Sequence, residues 1–298
     1  MAKTITLLTD KRYLKNEPEN WYVNNIFKDD NLVTKALEKV GFIVDRTNWD
    51  NDSYNWSKTD LALFRTTWDY FDKFKEFRNW LDDVSEKTTL INPKSIIDWN
   101  FNKQYLKELE IKGVNIPDTQ IIKSGDTNNL AFHFKHSGYK KAVLKPCVAG
   151  AARHTYVIEG SNVSHYESIF KELIASEPMM LQGFQTSIQE KGEVSIIMFG
   201  GNYSHAVLKK AKRGDFRVQD DFGGTVHNYL PSDDEIAFAQ QVLLHVEPLP
   251  SYARVDYFWD NNMQLALVEL ELIEPELWFR NYPKSAQIFA ETIANEYL

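Results

Sequence analysis

The sequence is poor in the residues that usually build disulfides and soft-metal sites. It has one cysteine, Cys147, among 298 residues. One cysteine excludes a disulfide framework or a cysteine-based zinc site within the chain. The seven histidines show no metal-ligand spacing, and no Ser-His-Asp or Cys-His arrangement can be inferred. We therefore expect a cytoplasmic protein in a reducing environment.

Long hydrophobic runs and an excess of positive charge are also missing. No apolar stretch approaches the length of a membrane span. The N-terminal MAKTITLLTDKRYL lacks the features of a signal peptide and predicts a first strand. The net charge is 34 − 42 = −8, which leaves no surplus of Lys and Arg to meet phosphates. We expect neither a nucleic acid nor a membrane as partner. The oligomeric state is not specified, and a homodimer is compatible with the sequence.

What is present is the pattern of an α/β enzyme. Short buried-type strands at 4–9, 42–45 and 60–64 alternate with helical stretches, which predicts a small parallel-sheet domain over 1–93. Two mixed lobes are expected at 94–180 and 181–298, the second rich in strands. A cleft between two lobes is a natural ligand site.

The most informative segment is YARVDYFWDNNMQLALVELELIEPEL, residues 252–277, which predicts a hairpin. Side chains two apart share one face of a strand, so Glu269 and Glu271 point the same way and Asp256 can lie opposite them. Clustered carboxylates repel unless a cation lies among them, and oxygen ligands suit Mg²⁺ or Mn²⁺. Arg254 joins the same face. The alternative is a solvated sheet face with alternating charges.

Lysines and small residues suggest an anion site. Lys145 ends the strand AVLKP, and the following CVAGAARH permits close approach of the backbone to an anion. The alternative is a surface lysine whose stem covers apolar surface. The run KKAKRGDFRVQDDFGG, 209–224, predicts a basic loop that closes over phosphates, or else an ordinary solvated hairpin loop.

Taken in order along the chain, these motifs resemble the ATP-grasp ligases, nearest to the glutathione-synthetase and ribosomal-protein-modifying branch. The markers are NKQYLKEL, AVLKP, MMLQGF, GEVSIIMF, HAVLKK, RVQDDFGG, YARVDY and VELELIEP. The likeness covers roughly residues 94–275. It implies an ATP-grasp fold preceded by a Rossmann-like pre-ATP-grasp domain that binds substrate.

The resemblance also implies a role for individual residues. ATP would be held at its phosphates by Lys103, Lys145 and Lys209, at its adenine by the strand carrying Gln182, Gly183 and Phe184, and at its ribose by Glu193. Arg254 would stabilise the transferring phosphoryl group, with Arg217 in the closing loop as a further catalytic residue. The metal ligands would be Asp256, Glu269 and Glu271. Many relatives have Glu-x-Asn where this chain has Glu269-Leu270-Glu271, which puts the third ligand in question.

A narrower likeness involves the first domain. The segments FRTTWDYFDKFKEFRNWL, INPKSIIDWNFNKQYL and FRVQDDFGG look similar to the cyclo-ligases of the cycloserine pathway and their relatives. Arg65 directly follows the strand LALF, and we assign it to a substrate carboxylate. The alternative for the aromatic residues nearby is that they pack at a strand-to-helix junction.

The resemblance implies an ADP-forming ligase that makes carbon–nitrogen bonds. It would use ATP and Mg²⁺ or Mn²⁺ to activate a small-molecule carboxylate as an acyl-phosphate, and couple it to an amine or similar nucleophile, within one molecule or between two. The alternatives are a phosphotransferase on the same scaffold and a non-catalytic nucleotide-binding module. Substrates and pathway are not specified by the sequence.

Overall fold

The computed structural model describes residues 2–17, 19–150, 152–212, 218 and 223–298. The strands are β1 Thr4–Thr9, β2 Ile43–Asn48, β3 Leu61–Thr66, β4 Thr89–Ile91, β5 Thr119–Ile122, β6 Lys141–Pro146, β7 Tyr156–Glu159, β8 Met179–Gly183, β9 Glu193–Phe199, β10 Asn202–Lys210, β11 Thr225–Tyr229, β12 Tyr252–Trp259 and β13 Leu265–Glu271. The helices are α1 Trp21–Lys39, α2 Phe74–Ser85, α3 Lys94–Asn100, α4 Tyr105–Ile111, α5 Leu130–Ser137, α6 Glu167–Ile174, α7 Ser187–Lys191, α8 Asp233–Leu243 and α9 Lys284–Tyr297. The mixed α/β class expected from the sequence is confirmed.

The first sheet is parallel, with strand order β2-β1-β3-β4. Its central strands β1 and β3 are almost continuously buried, as strands covered on both faces must be. Helix α1, the helical stretch expected between the strands at 4–9 and 42–45, begins at Trp21. The side chain of Asn20 accepts a hydrogen bond from the amide of Tyr22 and so caps the helix there.

The other two sheets are antiparallel. Strands β5-β8-β6-β7 form one, and β11-β10-β9-β12-β13 form the other. Strands β12 and β13 make the expected hairpin. The turn between them is closed by the side chain of Asp260, which accepts hydrogen bonds from the amides of Asn262 and Gln264.

The C-terminal helix ties the first sheet to the third. One buried cluster contains Leu37 of α1, Phe199 of β9, Tyr252 of β12, and Phe289 and Ile293 of α9. The expected division into three parts, at residues 93 and 180, stays a prediction; strand β8 runs across the second boundary. Among the described residues, no helix combines the length and the apolar character that crossing a bilayer requires.

Asn92 makes the joint between the first and third sheets more specific. Its buried side-chain amide donates to the carbonyls of Tyr252 and Leu272, at 2.9 and 2.8 Å, and its side-chain oxygen accepts from the amide of Ser251 at 2.7 Å. Three hydrogen bonds from one buried side chain fix where β12 lies relative to the end of β4. The loops of the first sheet thereby meet the hairpin that carries the acidic residues.

Candidate active site

A cavity of about 540 Å³ is lined by residues from all three sheets and their loops. The first sheet contributes loop residues that follow β1 and β3, among them Arg12 and Trp68. The second sheet contributes Lys145 and the β8 segment, and the third contributes the hairpin. A concave site of this size with convergent charged groups is suited to a small ligand.

The hairpin register sets the acidic wall of the cavity. Asp256 lies directly opposite Glu269, and Arg254 lies opposite Glu271. The guanidinium of Arg254 donates to Asp256, with Nη2 2.8 Å from Oδ2, and also contacts the carboxylate of Glu271. The sequence expectation that these four side chains share one face therefore matches where the structure places them.

Two lysines also pair with carboxylates of the cavity: Lys103 with Glu269, and Lys209 with both Glu193 and Asp256. Lys103 Nζ lies 2.9 Å from Glu269 Oε1 and donates to the carbonyl of Ala149, in the loop after β6. Lys209 Nζ lies between Glu193, at 2.5 Å, and Asp256, at 3.0 Å. Both lysines are buried, which is unusual for a charge unless it is paired.

This packing of charges shifts several pKa values. Burial works to raise the pKa of Asp256, but Arg254 and Lys209 outweigh it and the pKa lies below its usual range. For Glu271, burial dominates over Arg254, and the nearby Glu269 and Asp256 add to it, so its pKa rises to about 8. Burial also raises the pKa of Glu193, although Lys209 opposes the shift. The cluster carries more negative charge than its cations fully offset.

Two charged side chains of the cavity differ from the rest. Within the described residues, Lys145 and Glu274 line the cavity without an opposite charge at ion-pair distance. Burial lowers the pKa of Lys145 and raises that of Glu274 well above its usual range. A desolvated charge without a partner is costly, so each is a place where a ligand charge would be favourable.

The strand β8 segment assigned to adenine also lines the cavity. Gln182 donates through its side-chain amide to Thr119 Oγ1 at 2.9 Å. The ring of Phe184 contacts Lys141, whose Nζ lies 4.3 Å from the ring centroid. Gly183 is closely approached: a Cβ there would lie 3.4 Å from the ring of Tyr139. The three residues form a fixed, mostly apolar edge that a flat ring could pack against.

Arg65 is not brought to this cavity. It is buried, its Nε lies 3.3 Å from Asp30 Oδ1, and its guanidinium packs over the ring of Phe279 at 5.2 Å. It lines a separate space of about 10 Å³. Arg217, the other arginine assigned from the closing loop, lies outside the described residues, as does most of 209–224.

Sequence reasoning missed the arginine that does reach the cavity from the first sheet. Arg12 Nη2 lies 2.7 Å from Asp10 Oδ2 and donates to the carbonyl of Trp68 at 3.2 Å. Asp10 and Arg12 follow β1, and Trp68 follows β3. The carboxyl ends of parallel strands form one edge, where ligands of α/β proteins commonly bind. That rule, applied to the predicted β1, would have pointed to this loop.

The hairpin carboxylates suit Mg²⁺ by their chemistry. Mg²⁺ is a hard cation and prefers oxygen ligands. Asp256 and Glu269 supply carboxylate oxygens from directly opposed positions of the hairpin. In the part of the chain that the structure describes, no group of three His, Cys, Asp or Glu side chains is gathered around a common point. Each hairpin carboxylate is instead paired with a cation, which is Lys103, Lys209 or Arg254.

Comparison with known proteins identifies the architecture. The family model described as the N-terminal domain of D-cycloserine synthetase DcsG matches residues 5–92. The cycloserine biosynthesis protein DcsG of Streptomyces lavendulae is 25% identical over 280 residues, which are 87% of this chain and 91% of that protein. The crystal structure of D-cycloserine synthetase DcsG superposes with a TM-score of 0.85 at 25% identity, covering 98% of this chain and 99% of the other.

A more distant neighbour is the ATP-grasp ligase PsnB complexed with a phosphomimetic variant of its minimal precursor, Mg and ADP. Its TM-score is 0.64 at 13% identity, and the match covers 99% of each chain. The chain has the ATP-grasp fold. It is homologous to DcsG, and its similarity to ATP-grasp ligases confirms the resemblance found in the sequence. The cavity lies where loops of the first sheet meet residues of the second and third sheets.

Proposed function

We propose that this protein is an ATP- and Mg²⁺-dependent ligase that activates a small-molecule carboxylate as an acyl-phosphate and joins it to a nitrogen nucleophile. The comparisons support an enzyme of the ATP-grasp ligase class. The observation that carries the rest is Lys145, a desolvated lysine that faces the cavity without an anionic partner among the described residues. A polyphosphate supplies the charge that this lysine lacks.

ATP is assigned to the residues that line the cavity beside Lys145. Lys103 and Lys209 assist at the phosphates, Glu193 takes the ribose, and the β8 edge described above takes adenine. For Lys103 and Lys209 this means exchanging part of their contact with carboxylates for contact with phosphate oxygens. Arg254 is in place to stabilise charge on the transferring phosphoryl group.

Mg²⁺ is assigned to Asp256, Glu269 and Glu271. When bound, the metal neutralises the phosphate charge that would otherwise repel an attacking carboxylate. The acidic wall fits this role, because together with Glu193 it presents four carboxyl groups to two lysines and one arginine. The Mg and ADP in the PsnB complex are consistent with it.

Two bond exchanges make up the reaction. A substrate carboxylate oxygen forms a bond to the γ-phosphorus while the bond from that phosphorus to the β-bridging oxygen breaks, releasing ADP. The nitrogen nucleophile then attacks the acyl carbon, loses a proton, and displaces inorganic phosphate. When nucleophile and carboxylate belong to one molecule the product is a ring, as the name D-cycloserine synthetase implies for the relative.

The test is a turnover screen. Purified protein with Mg·ATP is incubated with small carboxylic acids, amino acids and ureido acids, and the release of ADP and phosphate is followed. Addition of hydroxylamine traps an acyl-phosphate as a stable hydroxamate, which mass spectrometry identifies. We expect acid-dependent phosphate release and hydroxamate formation. A product that keeps the phosphate would identify a phosphotransferase, and binding of ATP with no turnover on any acid would favour a binding module.

A further inference from the structure

Glu274 lies three residues beyond the end of β13 and lines the cavity. Its backbone carbonyl accepts a hydrogen bond from Trp68 Nε1 at 2.9 Å, which ties it to the loop after β3. No hydrogen bond or ion pair joins its carboxylate to another side chain within the described residues. The backbone is thus anchored while the carboxylate is not.

The other carboxylates that line the cavity all have a cationic partner. These pairs are Asp72 with Arg153, Glu193 with Lys209, Asp256 with Arg254, Glu269 with Lys103, Glu271 with Arg254, and Glu276 with Arg280. Since the neighbouring cations are already held, Glu274 is the lining carboxylate whose charge a ligand would have to match. A cationic group on the ligand would meet it without displacing an existing pair.

The surroundings of Glu274 favour an organic cation over a metal ion. Trp68 belongs to an aromatic wall with Tyr13 and Tyr22, whose ring centroids lie 5.8 and 6.1 Å from that of Trp68. Aromatic faces attract ammonium groups, whereas Mg²⁺ requires several oxygen ligands at close range. Arg12, the cation on this side, is held by Asp10 and does not form an ion pair with Glu274.

We infer that Glu274 binds a protonated amino group of the substrate and so selects carboxylic acids that carry one. This rests on the proposed function, because it assumes that the acid to be activated lies beside Glu269 and Glu271. Three residues of chain span at most about 10 Å. The amino group and the reacting carboxylate can therefore belong to one small molecule, as in an amino acid.

The experiment compares acids that differ only in this group. The pairs are alanine and lactate, serine and glycerate, and glutamate and 2-hydroxyglutarate, each as both enantiomers. Binding to the protein loaded with Mg²⁺ and a non-hydrolysable ATP analogue is measured by calorimetry, and KM and kcat are measured by phosphate release. The variants are Glu274→Gln and, as a matched neighbour that already holds Arg280, Glu276→Gln.

We expect the parent protein to bind the amino member of at least one pair about tenfold more tightly than the hydroxy member. Glu274→Gln should abolish that preference through KM, leave the hydroxy acid unchanged, and retain affinity for the nucleotide. Glu276→Gln should keep the preference. Retained nucleotide affinity shows that the variant is folded.

Three outcomes would overturn the inference: equal binding of both members of every pair by the parent, including no binding of either; a preference that survives in Glu274→Gln; or a rise in the Mg²⁺ concentration needed for half-maximal nucleotide binding in Glu274→Gln, which would make the residue a metal ligand. Failure of the proposed function reads differently. Phosphate release would then stay independent of every acid, while the binding preference could still be measured.

Discussion

The molecule contains two buried clusters of ion pairs that are alike in chemistry and unlike in surroundings. One consists of Lys103, Lys209, Arg254, Glu193, Asp256, Glu269 and Glu271 and borders the cavity of about 540 Å³. The other consists of Asp29, Asp30, Arg65 and Arg280 and borders a space of about 10 Å³. We call them the open cluster and the closed cluster.

The closed cluster is a structural joint. Arg280 Nη1 lies 2.7 Å from Asp29 Oδ2, so the segment before α9 is fixed to α1, and Arg65 pairs with Asp30 on the same helix. With Glu276, which pairs with Arg280, and Arg46, which pairs with Asp30, three acids face three arginines, and there is no room for a ligand. The open cluster holds similar pairs with an excess of acid and space beside them. Openness and charge balance, rather than burial of charge, therefore separate the cluster that we propose as the active site from the structural one.

The largest effect is expected when one charge is removed from the open cluster. Glu269→Gln keeps the shape and loses the charge that faces Lys103. We expect turnover to fall on the order of 10²–10³-fold, as for loss of one strong electrostatic contact to a transition state. Because Lys103 is buried and loses its carboxylate partner, the free energy of unfolding should fall as well. Glu172→Gln, at an exposed position on α6, is the control. Full Mg²⁺-dependent turnover in Glu269→Gln would remove this residue from the metal site.

Arg65→Met tests the closed cluster. Removing one partner of a buried pair leaves an uncompensated charge, which typically costs about 3–5 kcal/mol. Because Arg46 also contacts Asp30 at 2.8 Å, we expect about 3 kcal/mol of lost stability by denaturant unfolding. The affinity of the folded fraction for Mg·ATP should be unchanged. Arg78→Met, at a half-exposed surface pair with Asp98, should cost less than about 1 kcal/mol.

Arg65→Met also tests the prediction from sequence that Arg65 binds a substrate carboxylate. If Arg65→Met keeps its stability but loses affinity for the substrate acid, Arg65 acts on the substrate despite its position. A large loss of stability with unchanged KM would assign it to the joint.

Arg65 shows where sequence reasoning stops. A strand was predicted at 60–64 from its apolar run, and β3 lies there. Which side of a fully buried strand faces a ligand depends on what packs on each face. Here α1 supplies Asp30, distant in sequence, and draws Arg65 to its own side. No local pattern contains that information.

The hairpin succeeded for the opposite reason. Its two strands are neighbours in sequence, so alternation and one turn sufficed to place Asp256 across from Glu269. The position of Lys103 was only partly predictable from the sequence. Lys103 was assigned through the resemblance, while its burial beside Glu269 comes from contacts between segments far apart in the chain. Glu274 is a further acid in the same apolar segment, but that it lacks a cationic partner among the described residues is visible only in the folded chain.

Lys145→Met tests the role of the unpaired lysine beside the open cluster. Among the described residues, no anionic side chain pairs with Lys145, so its removal leaves no carboxylate unpaired. The free energy of unfolding should therefore be unchanged or slightly higher. Loss of a charged hydrogen bond to phosphate should weaken ATP binding by about tenfold or more, corresponding to 1.5–3 kcal/mol. Calorimetric titration measures the affinity for ATP and denaturant unfolding measures the stability, with Lys123→Met at an exposed position as control. Unchanged affinity for ATP would contradict the phosphate assignment.

The last prediction concerns the dependence of stability on pH. The pKa of Glu271 is raised to about 8 from an ordinary value of 4.5, so between these values the folded protein holds a proton that the unfolded chain has released. Stability without ligand must then decrease as pH rises from about 4.5 to 8. Glu271→Gln removes this dependence, and its stability relative to the parent should increase by up to about 4 kcal/mol between pH 5 and pH 8, which is about 1.4 kcal/mol for each pH unit. Denaturant unfolding at both values measures the difference. A constant difference would mean that Arg254 keeps Glu271 charged throughout, and that the open cluster is as balanced as the closed one.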